Sequence, residues 1–165
     1  MLTNNGLQWI RKMGTDHDAS SMNIIATNGN RVTAYNYGSG YMRALLGNTN
    51  LTSPPSSETS GVVAPFIGVG SGDAVESAND YKLDNYINTL SYVSGAASNN
   101  GDLTTKTTTF KNNTSSTIVV KELGLYYACE TNMAPVLIAR KVLDTPISIE
   151  PGETKTFSVH IYINI

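Results

Sequence analysis

In the stretch PFIGVGSGDAVES, residues 65–77, an apolar run closes on Gly68, Gly70 and Gly72. If these glycines cradle a phosphate at a strand-to-helix junction, the fold is α/β. If they form a turn, it is not. The dinucleotide fingerprint G-x-G-x-x-G requires its third glycine at position 73, with a helix opening there so that free amides and the helix dipole meet the pyrophosphate. This chain has Asp73 at that place, a residue that repels phosphate, and no helix signal begins there. The kinase-type loop shares the same third-glycine spacing and fails with it. A Walker loop needs Gly-Lys-Ser or Gly-Lys-Thr, and neither tripeptide occurs. The stretch therefore reads as a strand leaving its sheet through a glycine turn. Gly68 lets a neighbouring strand approach, and Gly70 and Gly72 are expected to supply backbone angles closed to other residues.

The segments around it read the same way. Downstream, LTTKTTTFK (103–111) is strand-like because β-branched threonines suit a pleated, half-wet face, and NNTSS after it is a turn. TIVVKELGLYYAC and PVLIARKVL follow as strands around the loop ETNMA, whereas SGAASNNGD (94–102) reads as a flexible loop. The clearest signal is TFSVHIYINI (156–165). Phe157, Val159, Ile161, Ile163 and Ile165 alternate with Ser158, His160, Tyr162 and Asn164, giving one apolar face. Upstream, VVAPFIGVG is a strand that Pro65 confines to an edge or bulge. DYKLDNYINTLSYVSG mixes a helical turn with a strand. MNIIATNGNRVTAYNYG is a hairpin turning at Asn28-Gly29. The only helix signal is short: Thr3 as cap, then Leu7, Ile10 and Met13 on one side, ending at Gly14. Short strands with turns between them and almost no helix predict a mainly β protein, an antiparallel β-sandwich of Greek-key or jelly-roll type with a short N-terminal helix.

Composition sets the outer limits. The 165 residues suit one domain, 1–165, with a hairpin and proline-loop insertion at about 15–61 around Pro54-Pro55. A single cysteine, Cys129, permits no intrachain disulfide and no cysteine-built zinc site, and in LYYAC it reads as a small buried hydrophobe. No secretory leader and no long apolar span is evident, which predicts a protein made and kept in a reducing cytoplasm without membrane contact. With 15% charged residues, a net charge of −2 and scattered cations, nucleic acid is not an expected partner.

Candidate chemistry is sparse. His17 lies between Asp16 and Asp18, but three adjacent side chains do not converge on one ion without distant partners, and the only other histidine is His160. No G-x-S-x-G elbow accompanies either histidine, and the 13 acids offer too many pairings for spacing to identify a glycosidase pair. Asn50, Asn112 and Asn113 begin N-x-S/T triplets, read as unmodified in a chain without an export signal. Tyr35, Tyr37, Tyr41, Tyr126 and Tyr127 are candidates for stacking on sugars, or for the commoner role of half-buried sheet residues and interface anchors. No catalytic, cofactor-binding or metal-binding residue, and no cofactor, is assigned.

Several pieces taken in order resemble small structural proteins of tailed bacteriophages: tail-fibre, collar and adaptor components, or capsid-decoration and head-fibre proteins. They are Leu2, Thr3, Asn4 and Gly6 in LTNNGLQWI; Val69, Gly70 and Gly72 in IGVGSGD; Asp80 and Leu83 in ANDYKLDN; and Glu122, Gly124 and Leu125 in IVVKELGLYY. PVLIARKVLDTPISIEPGE and the last strand complete the pattern, while residues 15–61 depart from it. The resemblance implies a non-enzymatic virion component made in the host bacterial cytoplasm. It would be partnered by other virion proteins of capsid, neck or tail and assembled as a homo-oligomer, a trimer among the states implied. Binding of host glycan is the alternative expectation.

Overall fold

The computed structural model describes residues 1–13, 24–31, 53–54, 65–100, 103–127 and 134–162. One helix, α1 (Asn4–Met13), precedes six strands: β1 (Phe66–Gly70), β2 (Ser91–Asn100), β3 (Leu103–Lys111), β4 (Ile118–Tyr127), β5 (Val136–Ile149) and β6 (Thr154–Tyr162). They form two three-stranded antiparallel sheets, β1-β4-β5 and β2-β3-β6, in a sandwich. The β4–β5 hairpin lies in one sheet, while β3 and β6, which flank it in the chain, pair in the other. This crossover is of Greek-key kind.

The sheets meet over Val69, Val120, Leu123 and Ile149 on one side and Leu90, Phe110 and Phe157 on the other. The Phe110 and Phe157 rings lie 6.1 Å apart at 59°. The expected alternation holds in β6, where Phe157 is buried and Val159 and Ile161 are half-buried while Thr156, Ser158, His160 and Tyr162 are exposed. It holds in β3 too, where Thr104, Lys106, Thr108 and Phe110 point inward. Strand β4 instead buries every residue from Glu122 to Tyr127, because its sheet is covered on both faces. The second cover is the segment 71–90, whose Leu83 packs with Phe66, Tyr126 and Leu137.

Two readings are corrected. Ser94–Asn100, expected as a flexible loop, belongs to β2 and pairs in regular register with β3 from Ser94↔Thr109 to Asn100↔Leu103. Small polar residues carry no burial signal, yet backbone pairing along an edge strand does not require one. The glycine turn also works differently. Among the described residues only Gly29 and Gly152 have positive φ, both +81°, so Gly70 and Gly72 are not selected for backbone angle. A Cβ on Gly68 would meet Tyr126 Cε2 at 2.8 Å and Tyr86 Cε2 at 2.9 Å, and one on Gly70 would meet Glu122 Cγ at 2.7 Å. These glycines make room for side chains. Asn28-Gly29 turns as expected, closed by the Ile25↔Arg31 bridge. The remainder of that hairpin, most of the 15–61 insertion, Cys129 and the ETNMA loop up to Met133 lie outside the described residues.

Strand β5 is irregular in two places. Glu122 pairs with Val142 and Val120 with Ile147, so 143–146 bulge opposite Lys121, and Pro146 sits where no ladder bond is required of it. At the second shift Leu125 pairs with Ala139 and Tyr126 with Leu137, leaving Ile138 out of the ladder. The Ile138 carbonyl accepts from the Thr3 amide at 3.1 Å and from Thr3 Oγ1 at 3.0 Å. Thr3 Oγ1 in turn accepts from the Gly6 amide at 3.1 Å, so one hydroxyl caps α1 and moors it to β5. A Cβ on Gly6 would strike the Ile138 carbonyl, which fixes glycine there.

Candidate functional site

The most chemically loaded place in the described structure lies on the face of the β1-β4-β5 sheet beneath segment 71–90. Its centre is Glu122, fully buried in mid-strand β4. Its carboxylate accepts four hydrogen bonds: Oε1 from the Gly72 amide (3.1 Å) and the Asn85 amide (2.9 Å), and Oε2 from the Asp84 amide (3.1 Å) and Arg140 Nε (2.8 Å). Arg140, 3% exposed, extends from β5 and donates from Nη1 to Asp80 Oδ2 at 2.8 Å. Asp80 Oδ2 also accepts from the Ser77 amide at 2.9 Å. Burial works against the Arg140 charge, but the hydrogen bonds and charges of Asp80 and Glu122 outweigh it and hold the guanidinium above its ordinary value.

Four hydrogen bonds fill the acceptor capacity of a carboxylate. Glu122 therefore substitutes for water at the orphan amides of an irregular segment, and Arg140 neutralises the charge this requires. Tyr126 adds a further tie: its hydroxyl accepts from the Leu83 amide at 3.1 Å, and its ring stacks on Phe66 at 4.9 Å and 10°. At the sheet edge Asn4 reaches the same segment, its amide to the Ala78 carbonyl at 2.7 Å and its Nδ2 to Asn79 Oδ1 at 2.9 Å. Asn5 Nδ2 and Oδ1 pair with the carbonyl and amide of Ile25. The separated pieces LTNNG, IGVGSGD, ANDYKLDN and KELG thus converge at one place, and the polar residues in them hold backbone.

The arrangement answers the phosphate question physically. The Gly72 amide, which a phosphate loop would keep open, donates to Glu122, and a carboxylate occupies the position an anion would take.

Other singled-out residues are dispersed. His17, Tyr35, Tyr37, Tyr41 and Asn50 lie outside the described residues. His160 is on the outer face of β6, its Nδ1 3.1 Å from Thr105 Oγ1. Tyr126 and Tyr127 are buried, so they offer no platform to a sugar. Asn112 is buried as well, its Nδ2 donating to the Ser116 and Ile149 carbonyls and its Oδ1 accepting from Thr114. Among the described residues no three of His, Cys, Asp and Glu gather as metal ligands, and no helix is long and apolar enough to cross a membrane.

The sequence reading missed the convergence of Glu122, Arg140 and Asp80. Its one available signal was Glu122 itself, an acid inside an apolar strand, which demands a buried partner. Lys106 is a second buried charge, set by strand alternation on the face of Phe110 in a threonine-rich strand. It is fully buried in β3, and loss of hydration pushes its amine down to about 8.

A second feature lies between the sheets. A groove of about 500 Å³ runs along β6, floored by Leu123, Leu125 and Ile138 and bounded by Val159 and Ile161. No family model, no curated protein and no solved structure matches this chain.

Proposed function

We propose that this chain is a non-catalytic structural component of a tailed-bacteriophage virion, associated with tail, neck or fibre or decorating the capsid, and that it acts by protein–protein assembly. The observation that supports this most is the full occupation of Glu122. The charges closest to an active-site constellation are committed to fastening segment 71–90 to the sheet, while an apolar groove lies along a strand edge. Rigid loops on a β scaffold and apolar surface at an edge serve complementary burial rather than turnover. The motif resemblance supplies the virion, and the host bacterial cytoplasm as the place of synthesis.

The test is localisation. Antibody against this chain should label purified particles of the phage that encodes it, and mass spectrometry of those particles should recover it with capsid, neck or tail proteins. Its absence from particles that contain all other structural proteins overturns the reading.

A second reading, adhesion to host glycan, is favoured by one observation. Tyr86, Tyr92 and Asn88 line a cleft of about 340 Å³, which offers aromatic rings and an amide as sugar sites do. Glycan-array binding lost on Tyr92→Ala would favour it over a purely structural role.

A further inference from the structure

The two sheets of the sandwich have four outer edges, and the described residues treat them unequally. The β1 edge is covered by residues 85–87: the Gly70↔Tyr86 bridge, Ser71 amide to Asn85 carbonyl at 2.8 Å, and Ile87 amide to Val69 carbonyl at 2.9 Å. The β5 edge is covered by the Leu2↔Ala139 bridge and the Thr3 amide on Ile138. The β2 edge is broken by a register shift between Tyr92 and Ser94 and carries mostly small polar residues. The β6 edge has none of these devices. Among the described residues β6 pairs only with β3, in nine unbroken steps from Leu103↔Tyr162 to Lys111↔Thr154, and it contains neither proline nor bulge. A long edge of unbroken register, whose single lysine, Lys155, lies near one end, is a template for another strand.

The interior beside it is equally unfinished. Phe157 is 3% exposed, but Val159 and Ile161, next in the same inward row, are only half-buried and border the apolar groove. The core runs out before the strand does.

We infer that β6 is a self-association edge, pairing antiparallel with β6 of a second copy of this chain about a two-fold axis at Val159. Among the described residues, side-chain parity and the place of Lys155 favour this register. Pairing must keep inward residues opposite inward residues, because a one-residue slip sets apolar against polar faces. With Val159 opposite Val159, Phe157 meets Ile161, Ser158 meets His160 and Thr156 meets Tyr162. Both apolar rows then line one continuous interior, and no residue of the described strand lies opposite Lys155. Moving the axis to Ser158 preserves parity but sets Lys155 against Ile161. The occupant is a second copy because β6 supplies both halves of the match: an edge that is open among the described residues, and alternate apolar residues for the groove. The contact is isologous and closes, so it gives dimers or assemblies built from dimers. It does not depend on which particle, if any, the protein joins.

The test uses the full chain. Sedimentation velocity over a micromolar concentration range should show reversible dimers. Ser158→Lys with His160→Lys places four cations around the axis on the exposed face and should weaken association by about tenfold or more. Ser158→Lys with His160→Glu sets opposite charges across the axis and should restore it. Circular dichroism verifies folding, and Thr156→Lys with Tyr162→Lys repeats the test at the next cross-strand pair. The proposal is overturned by a chain that stays monomeric throughout, by an assembly whose mass ignores the lysine pairs, or by a charge-swapped variant that remains monomeric.

Discussion

Arg140 Nε lies 2.8 Å from Glu122 Oε2, a pairing of two side chains that are 3% and 0% exposed on neighbouring strands. Neither charge reaches solvent, so each depends on the other and on the backbone of segment 71–90. Replacing one alone strands its partner in the core. Glu122→Leu and Arg140→Met are each expected to cost about 3–5 kcal/mol, and the double change less than the sum of the two, although it still leaves the Gly72, Asp84 and Asn85 amides and Asp80 without their partners. Urea unfolding of the three variants measures this; additive losses would show that the pair is not coupled.

The glycines divide into two kinds that respond differently to substitution. Gly29→Ala meets nothing within 4 Å but must hold φ at +81°, a cost of about 1–2 kcal/mol that Gly29→Asn should largely recover, since asparagine tolerates that region. Gly70→Ala drives a methyl toward Glu122 Cγ and the Asn85 carbonyl, at 2.7 and 2.8 Å before relaxation. That change should cost about 1–3 kcal/mol, with no recovery on Gly70→Asn. Thermal melts of the four variants distinguish crowding from backbone strain.

Lys106 gives the protein a specific dependence on alkaline pH. Its amine is pushed from 10.5 to about 8 in the fold, so between those values the unfolded chain binds more protons than the native one and stability rises with pH. Below about 8 the native state carries the whole penalty, about 3 kcal/mol for a shift of this size. Lys106→Met should raise the melting temperature at pH 7 and flatten the climb in stability between pH 8 and 10. A parent and variant with parallel pH profiles would refute this origin.

Nucleotides should leave the protein unaffected. Because the Gly72 amide already donates to a carboxylate, ATP or NAD at millimolar concentration is expected to produce no shift in melting temperature. A shift of several degrees would mean that segment 65–77 binds phosphate after all.

Local patterns in the sequence revealed the elements whose signal is local. Alternation in TFSVHIYINI predicted β6, the threonine run predicted β3, and Thr3 predicted the start of α1, each because side-chain period or a cap leaves its mark within a few residues. Strand β2 was legible only where SYVSG begins it; the rest was not, because its stability comes from the backbone of β3. The Glu122 cluster was illegible for another reason: its partners lie 18 to 50 residues away, and no spacing rule links GSGD, LDN and ARK to KELG. The glycines drew attention at the right positions with the wrong cause, since crowding by Glu122 and Tyr126 cannot be inferred without the pairing of β1 with β4.

The mooring of Thr3 on β5 also orders events in time. The cap of α1 rests on Ile138, 135 residues further along the chain, and Asn4 waits for Ala78. On a ribosome, α1 emerges before its supports in β5 do, so it is secured only after β5 has joined its sheet. Contacts of such long sequence separation slow folding, because loop closure must be completed before any bond rewards it. The N-terminal helix is thus the latch of this fold and closes late, and its loss should accelerate unfolding more than it retards refolding.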